Sequence, residues 1–207
     1  MKRAAGFLVV AMLGMSGAAA TALGQQTTPM KKAAAAPTIA SVMQSQLGIV
    51  EHEFVGAAEA MPEDKYDFGP TNGEFKGVRT FAQEVKHVAT VNFAYYSAIL
   101  GQPMPPGVTF SEAANGPDSI QTKEQIVKYL QDSFALGHKA FATITMRNAV
   151  TPIEHPPLPF FNTRLALASF GCTHAFDHYG QMVEYLRMNG IIPPASQGAP
   201  PANPSGK

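Results

Sequence analysis

Apolar positions along this chain recur at three- and four-residue intervals, the spacing that puts side chains on one face of a helix. The pattern predicts four helices. The first runs from about Ile39 to Ala60, with Val42, Leu47, Val50, Phe54 and Ala57 or Ala58 as its stripe and Pro62 as its stop. Ser41 followed by Gln44 offers it a capping box. The second starts at Thr80, with Gln83 at the box position, and carries Val85, Val88, Val91, Tyr95 and Ile99 to about Leu100. The third starts at Thr122, with Gln125 at the box position, and carries Ile126, Tyr129, Leu130, Phe134, Leu136 and Phe141 to about Arg147. The fourth runs from Thr163 to Asn189 through Leu165, Ala168, Ala175, Met182 and Leu186, with Gly190 and two prolines beyond it.

No stretch alternates apolar and polar residues for long enough to make a strand. Four amphipathic helices of similar length bury their stripes most simply against one another, so the expected fold is all-α, a four-helix bundle. The connections 62–77, 101–121 and 151–159 are rich in Pro and Gly and are longer than links between antiparallel neighbours usually are. Any of them has the length for a crossover.

Composition narrows the partners. The chain has 207 residues, 45% of them hydrophobic and 14% charged, with 15 Lys plus Arg against 15 Asp plus Glu. Such a balance has no electrostatic footprint for nucleic acid. A single cysteine, Cys172, rules out an internal disulfide framework and a cysteine-based zinc site. It reads as a small buried residue rather than a nucleophile.

The front of the chain has the layout of a secretory signal. Lys2 and Arg3 precede an apolar run, Phe7 to Ala20, and Ala22-Leu23-Gly24 is a small-x-small cleavage site. The competing reading is a retained membrane anchor. Cleavage after residue 24 places the mature chain in the periplasm or outside the cell, with no stable membrane insertion. Residues 25–37 then read as a disordered spacer, 38–195 as the bundle and 196–207 as a loose Pro- and Gly-rich tail.

Candidate chemistry gathers in the fourth segment, at Thr173-His174-Ala175-Phe176-Asp177-His178-Tyr179-Gly180-Gln181. His174 and His178 are four residues apart, so on a helix they share a face and can reach one metal ion. Two ligands hold a metal weakly, and a third must come from a facing helix. Position in the helices leaves His87, His52 and His138 as candidates, with His87 best placed and His155 in a loop. Glu84, one turn before His87, and Asp177, beside His174, fit a solvated face. They are also within helical reach of a ligand's second nitrogen. Tyr179 and Gln181 are candidates to line the open side, and Gly180 to admit a neighbouring helix or ligand.

Three stretches together resemble the DinB-like (DinB/YfiT) superfamily of metal-dependent bacterial proteins. Ala58-Glu59-Ala60-Met61-Pro62-Glu63-Asp64-Lys65-Tyr66-Asp67-Phe68 with Pro70 resembles the family's first-helix exit. Glu84-Val85-Lys86-His87-Val88-Ala89 is similar to its second-helix histidine segment. His174 through Gln181, with Tyr185-Leu186-Arg187 and Gly190-Ile191-Ile192-Pro193-Pro194, resembles its last-helix signature. The resemblance implies an up-down-down-up bundle, metal ligation by His87, His174 and His178, and frequent homodimers. Its relatives are mostly cytoplasmic, whereas this chain carries an export signal, which argues against an activity that draws on an intracellular thiol.

Three imidazoles with an open fourth position are the composition of a catalytic rather than a closed zinc site. Zinc is the default divalent metal, and nickel, iron and copper also accept imidazole. The expectations are therefore a metal-dependent hydrolase or thiol transferase acting on a small molecule, or a non-catalytic metal- or ligand-binding bundle of the cell envelope. A dimerisation module whose histidines bind nothing is the plainest alternative.

Overall fold

The computed structural model describes residues 36–111 and 113–198. The expected signal segment, the spacer up to residue 35 and the tail from residue 199 lie outside the described residues. Four helices make up the fold: α1 (Ile39–Ala60), α2 (Phe81–Leu100), α3 (Lys123–Ala142) and α4 (Arg164–Met188). Among the described residues there is no strand, only an isolated bridge between Pro152 and Thr163.

Threonine begins every helix. Thr38, Thr80, Thr122 and Thr163 each accept a hydrogen bond from a backbone N–H in the first turn. A cap of this kind is worth about 1 kcal/mol, because it satisfies an N–H that the helix cannot. Gln83 and Gln125 complete capping boxes as the sequence predicts. In α1 the box lies three residues earlier than expected. Thr38 is the cap and Ser41 the return partner. Gln44 stays within α1, and its side-chain amide donates to the His138 carbonyl at 2.6 Å.

The third helix ends at Ala142, five residues short of the expected Arg147. The next residues, Thr143-Ile144-Thr145, are all β-branched and lose rotamer freedom in a helix. Asn148 captures them in a turn, accepting from the Thr145 N–H at 2.8 Å and donating to the Thr143 carbonyl at 2.9 Å. One stripe position also shifts: Val42 is exposed and its neighbour Met43 is buried in its place.

Polar contacts between helices give the winding. Gln44 near the start of α1 meets His138 near the end of α3, and Lys123 at the start of α3 donates to the Glu59 and Met61 carbonyls at the end of α1. These two helices are antiparallel. Between α2 and α3 the pairs Lys86 with Ile120, Thr90 with Tyr129, and Asn92 with Ser133 advance together, so these run parallel. Tyr185 late in α4 donates to the Arg79 carbonyl just before α2, and Tyr95 late in α2 meets Phe170 early in α4. That pair is antiparallel. Helix α1 packs on α3 and α4, and so does α2, which leaves α1 and α2 on one diagonal. The order is up-down-down-up.

A parallel pair needs a connection that travels the length of a helix. A 20-residue helix is about 30 Å long, and the segment from Gly101 to Gln121 spans it. Gly101, at φ 67°, closes α2 in the left-handed region. Gly116, at φ 76°, lies so close to α2 that an added Cβ would stand 2.9 Å from Lys86 Cβ. The crossover therefore lies down on α2. Opposite it, Tyr96 fills the bundle centre, packed edge-on against Phe141 and against the bare backbones of Gly137 and Gly171.

Candidate metal centre

Helix α2 is buried over most of its circumference, because the crossover covers the side that would otherwise face water. His87 and Glu84 both point from it toward α4 and are buried. Antiparallel packing brings them against His174 and His178 one turn apart on α4. The sequence-predicted set, His87, His174 and His178, meets at one point. His174 Nε2 lies 3.3 Å from His87 Nε2 and 3.2 Å from His178 Nε2. All three ligand atoms fall within 4.8 Å of one another. Tetrahedral ligands about 2.0–2.1 Å from a zinc ion stand about 3.3–3.4 Å apart, so the spacing has metal-site dimensions.

The remote nitrogens fix which lone pairs face inward. His87 Nδ1 lies 2.6 Å from the Ala114 carbonyl, which can only accept, so Nδ1 carries the proton. His178 Nδ1–H donates to the Glu84 carboxylate at 2.5 Å. His87 and His178 thus turn bare Nε2 lone pairs toward His174. A proton on His174 Nε2 can satisfy one of them, and leaves the other facing nitrogen. A cation at the centre satisfies all three, so the donor set fits a divalent metal. His174 Nδ1 is buried with no hydrogen-bond partner.

Protonation does not offer an easy escape from this crowding. Burial pushes the His174 pKa down to about 3, helped by the adjacent imidazoles and the Arg79 charge. Burial also pushes His87 down to about 4, with Arg79 and His178 adding to the effect and the Ala114 carbonyl opposing it. Both are ready ligands, neutral well below neutral pH.

The other histidines are placed elsewhere. His52 is exposed on α1. His138 is taken up by Gln44 and Glu51. His155 is almost fully exposed in its loop. Of the two carboxylates read as solvated-face residues, Asp177 is one and Glu84 is not. Glu84 lies within reach of His87 along its own helix, but it crosses to His178 on α4. Asp177 is exposed and pairs with Gln181 at 3.3 Å, away from any imidazole. Gly180 faces open space, and the close helix approach occurs at Gly137 and Gly171.

A cavity of about 380 Å³ opens onto the three imidazoles, and Tyr179 and Gln181 are not among its lining residues. Its wall is built by Val91 and Tyr95 of α2, Phe170 of α4, Phe110 of the crossover, Leu158 of the last loop, and Arg79. Phe161 stacks on Phe170 with centroids 4.0 Å apart and fixes that ring. Sequence reasoning missed Ala114, because a backbone carbonyl leaves no residue-type signal. It also missed Arg79, Phe110 and Leu158, which come from segments flanking the helices. The crossover length of 101–121 was the available hint that a loop would cover α2.

An up-down-down-up helical bundle with three imidazoles converging from α2 and α4 defines the class. The chain belongs to the DinB superfamily, whose family model matches residues 46–182. A crystal structure of a conserved protein from Enterococcus faecalis is similar, with a TM-score of 0.59 and 16% identity over 74% of this chain and 98% of that one. This likeness shows the fold. No curated protein matches the chain significantly.

Proposed function

We propose that the chain is an exported DinB-superfamily protein that binds one divalent metal, zinc by default, through His87, His174 and His178. In this reading it is a metal-dependent hydrolase or thiol transferase acting on a small molecule, and it works as a homodimer in the periplasm or outside the cell. The observation that carries the metal assignment is the meeting of three Nε2 atoms of which two are bare lone pairs.

When bound, the metal supplies Lewis acidity, which can polarise a carbonyl or stabilise a deprotonated water or thiol. The protein's own part is to hold and shelter. Ala114 and Glu84 keep protons on the outer nitrogens of His87 and His178 and so fix ring orientation and basicity. Phe110, Leu158 and Phe170 line the cavity with apolar surface. Three protein ligands leave a tetrahedral ion one position for an incoming group.

Elemental analysis of untagged protein tests the metal: one ion per chain is expected, and its loss in His87→Ala. Turnover of an ester, an amide or a thiol conjugate, abolished in His178→Ala, tests catalysis. A protein that holds no stoichiometric metal under any loading condition ends the reading. A second reading, metal or ligand binding without catalysis, is favoured by the lining itself. Among the described residues it contains no serine, threonine or cysteine nucleophile and no carboxylate. Cys172 does not serve, since it is buried and its thiol is pushed up to about 12.

A further inference from the structure

We propose that the end of the bundle where α1 and α4 begin is a docking face for an anionic phospholipid bilayer, with the α3–α4 connection as the part that enters it. The inference is independent of the metal reading. Single exposed apolar side chains are ordinary on any protein surface. Here, among the described residues, the three most exposed large ones share one connection: Met146 at 81%, Val150 at 71% and Phe160 at 92% all stand between α3 and α4. That connection is braced. The Ile153 N–H donates to the Asn162 carbonyl at 2.7 Å, and the Leu165 N–H donates to the Ala149 carbonyl at 2.9 Å. Phe161 stacks on Phe170 and leaves its neighbour Phe160 in water. Beside Met146 an apolar groove of about 690 Å³ opens between the start of α1 and the end of α3, with Pro37, Val42, Ile144 and Leu165 in its wall.

Charge selects the occupant. Lys139 and Arg147 are exposed at this end. Arg164 and Glu154 line one cleft and offset each other in net charge. The sequence has no acid from residue 25 to residue 50, which takes in the start of α1, and Lys31 and Lys32 precede that helix. The exit of α1, at the opposite end, has the other sign, with Glu59, Glu63, Asp64 and Asp67 against Lys65. An apolar patch flanked by cations matches the interface of an anionic bilayer. Apolar side chains there reach the acyl boundary, while lysine and arginine meet the headgroup phosphates. A second copy docked through the same patch would bring like charge against like.

The test is co-sedimentation of mature protein, beginning at Gln25, with vesicles of phosphatidylglycerol and phosphatidylcholine in equal parts and with vesicles of phosphatidylcholine alone. Binding to the anionic vesicles is expected to be at least about 10-fold tighter, since each cation at such a surface is worth about fivefold. Lys139→Gln with Arg147→Gln should remove most of that preference. Phe160→Ala with Met146→Ala should weaken binding to the anionic vesicles by at least about 10-fold. Met188→Ala with Ile192→Ala, which removes exposed apolar residues at the far end, should not. The chain has no tryptophan, so Phe160→Trp supplies a single reporter. Its emission should shift to the blue when anionic vesicles are added, and that of Met188→Trp should not. No binding, equal binding to both kinds of vesicle, or undiminished binding in the Phe160→Ala, Met146→Ala variant overturns the proposal. If a double variant fails to fold, the tryptophan pair decides, and an unshifted Phe160→Trp overturns it. A Phe160→Trp emission that shifts with protein concentration and ignores vesicles also overturns it, and assigns the patch to a second copy.

Discussion

Two histidine–carboxylate pairs occupy opposite sides of the bundle, and they have different fates. Between α1 and α3, His138 and Glu51 meet at 2.7 Å with about a third of each side chain in solvent. Between α2 and α4, His178 and Glu84 meet at 2.5 Å with side-chain exposures of 8% and 1%. His138 has Gln44 on its other nitrogen, so each of its ring nitrogens already lies against a side-chain oxygen. His178 has only other imidazoles on its second nitrogen. The same residue pair is a half-exposed contact in one place and part of a cluster that could hold a metal in the other. What differs is what the remaining nitrogen meets, and burial raises the cost of leaving it unmet.

Mutation of the ligands should break the symmetry most sharply. His87→Ala or His174→Ala is expected to lower metal affinity by more than about 100-fold, beyond what the loss of an orienting partner costs. His138→Ala should leave metal content untouched. Elemental analysis of the three untagged variants reads the difference, and equal metal loss from all three would mean that the α2–α4 cluster is not the site.

The carboxylates come next. Glu84→Ala removes the acceptor that orients His178 and should weaken metal binding by about 10- to 100-fold. Glu51→Ala, across the bundle, should not change it. Competition against a chromogenic chelator measures both. Comparable affinities for the two variants would reduce Glu84 to a packing residue.

Acid should distinguish the two sides by stability. The folded-state pKa values of His87 and His174 lie below their ordinary value of 6.5, at about 4 and about 3. Between those values and 6.5 the unfolded chain binds more protons than the folded one, so stability rises with pH across this window. In the metal-free protein the contribution is complete above 6.5 and is lost as pH falls toward 4 and then 3. Thermal melts of metal-free protein from pH 7 to 4 should show this decline, and it should shrink in a His87→Phe, His174→Phe double variant. An unchanged decline in that variant would place the acid sensitivity elsewhere.

The glycines give the smallest effects. Gly137→Ala drives a Cβ to 2.7 Å from the Tyr96 ring and should cost about 1–3 kcal/mol, as overpacking does. Gly180→Ala meets nothing within 4 Å on an exposed helix face and should stabilise by about 0.5–1 kcal/mol. Denaturant melts check both; a destabilised Gly180→Ala would show that this face is covered in solution.

Local chemistry is what the sequence by itself determined. Helix period and threonine caps are set by neighbours within one turn, so the four helices were legible to within a few residues. The pairing of His174 with His178 was legible for the same reason, since four-residue spacing on a helix leaves no choice of face. The misplaced α1 box and the overlong α3 were errors of the same local kind, decided by which of several competent residues captured the first or last turn.

Whatever joins residues far apart in sequence was decided only by the tertiary structure. Helical position alone left His87, His52 and His138 in contention, and the antiparallel packing of α2 on α4 chose among them. Glu84 was within reach of His87 along its own helix, yet the packing of α2 on α4 places its carboxylate against His178. The parallel run of α2 and α3 laid residues 101–121 over the site and delivered the Ala114 carbonyl to His87. A peptide carbonyl is present at every position of the chain. Which one becomes the second partner of an imidazole depends on where the backbone passes, and that follows from how the helices are stacked.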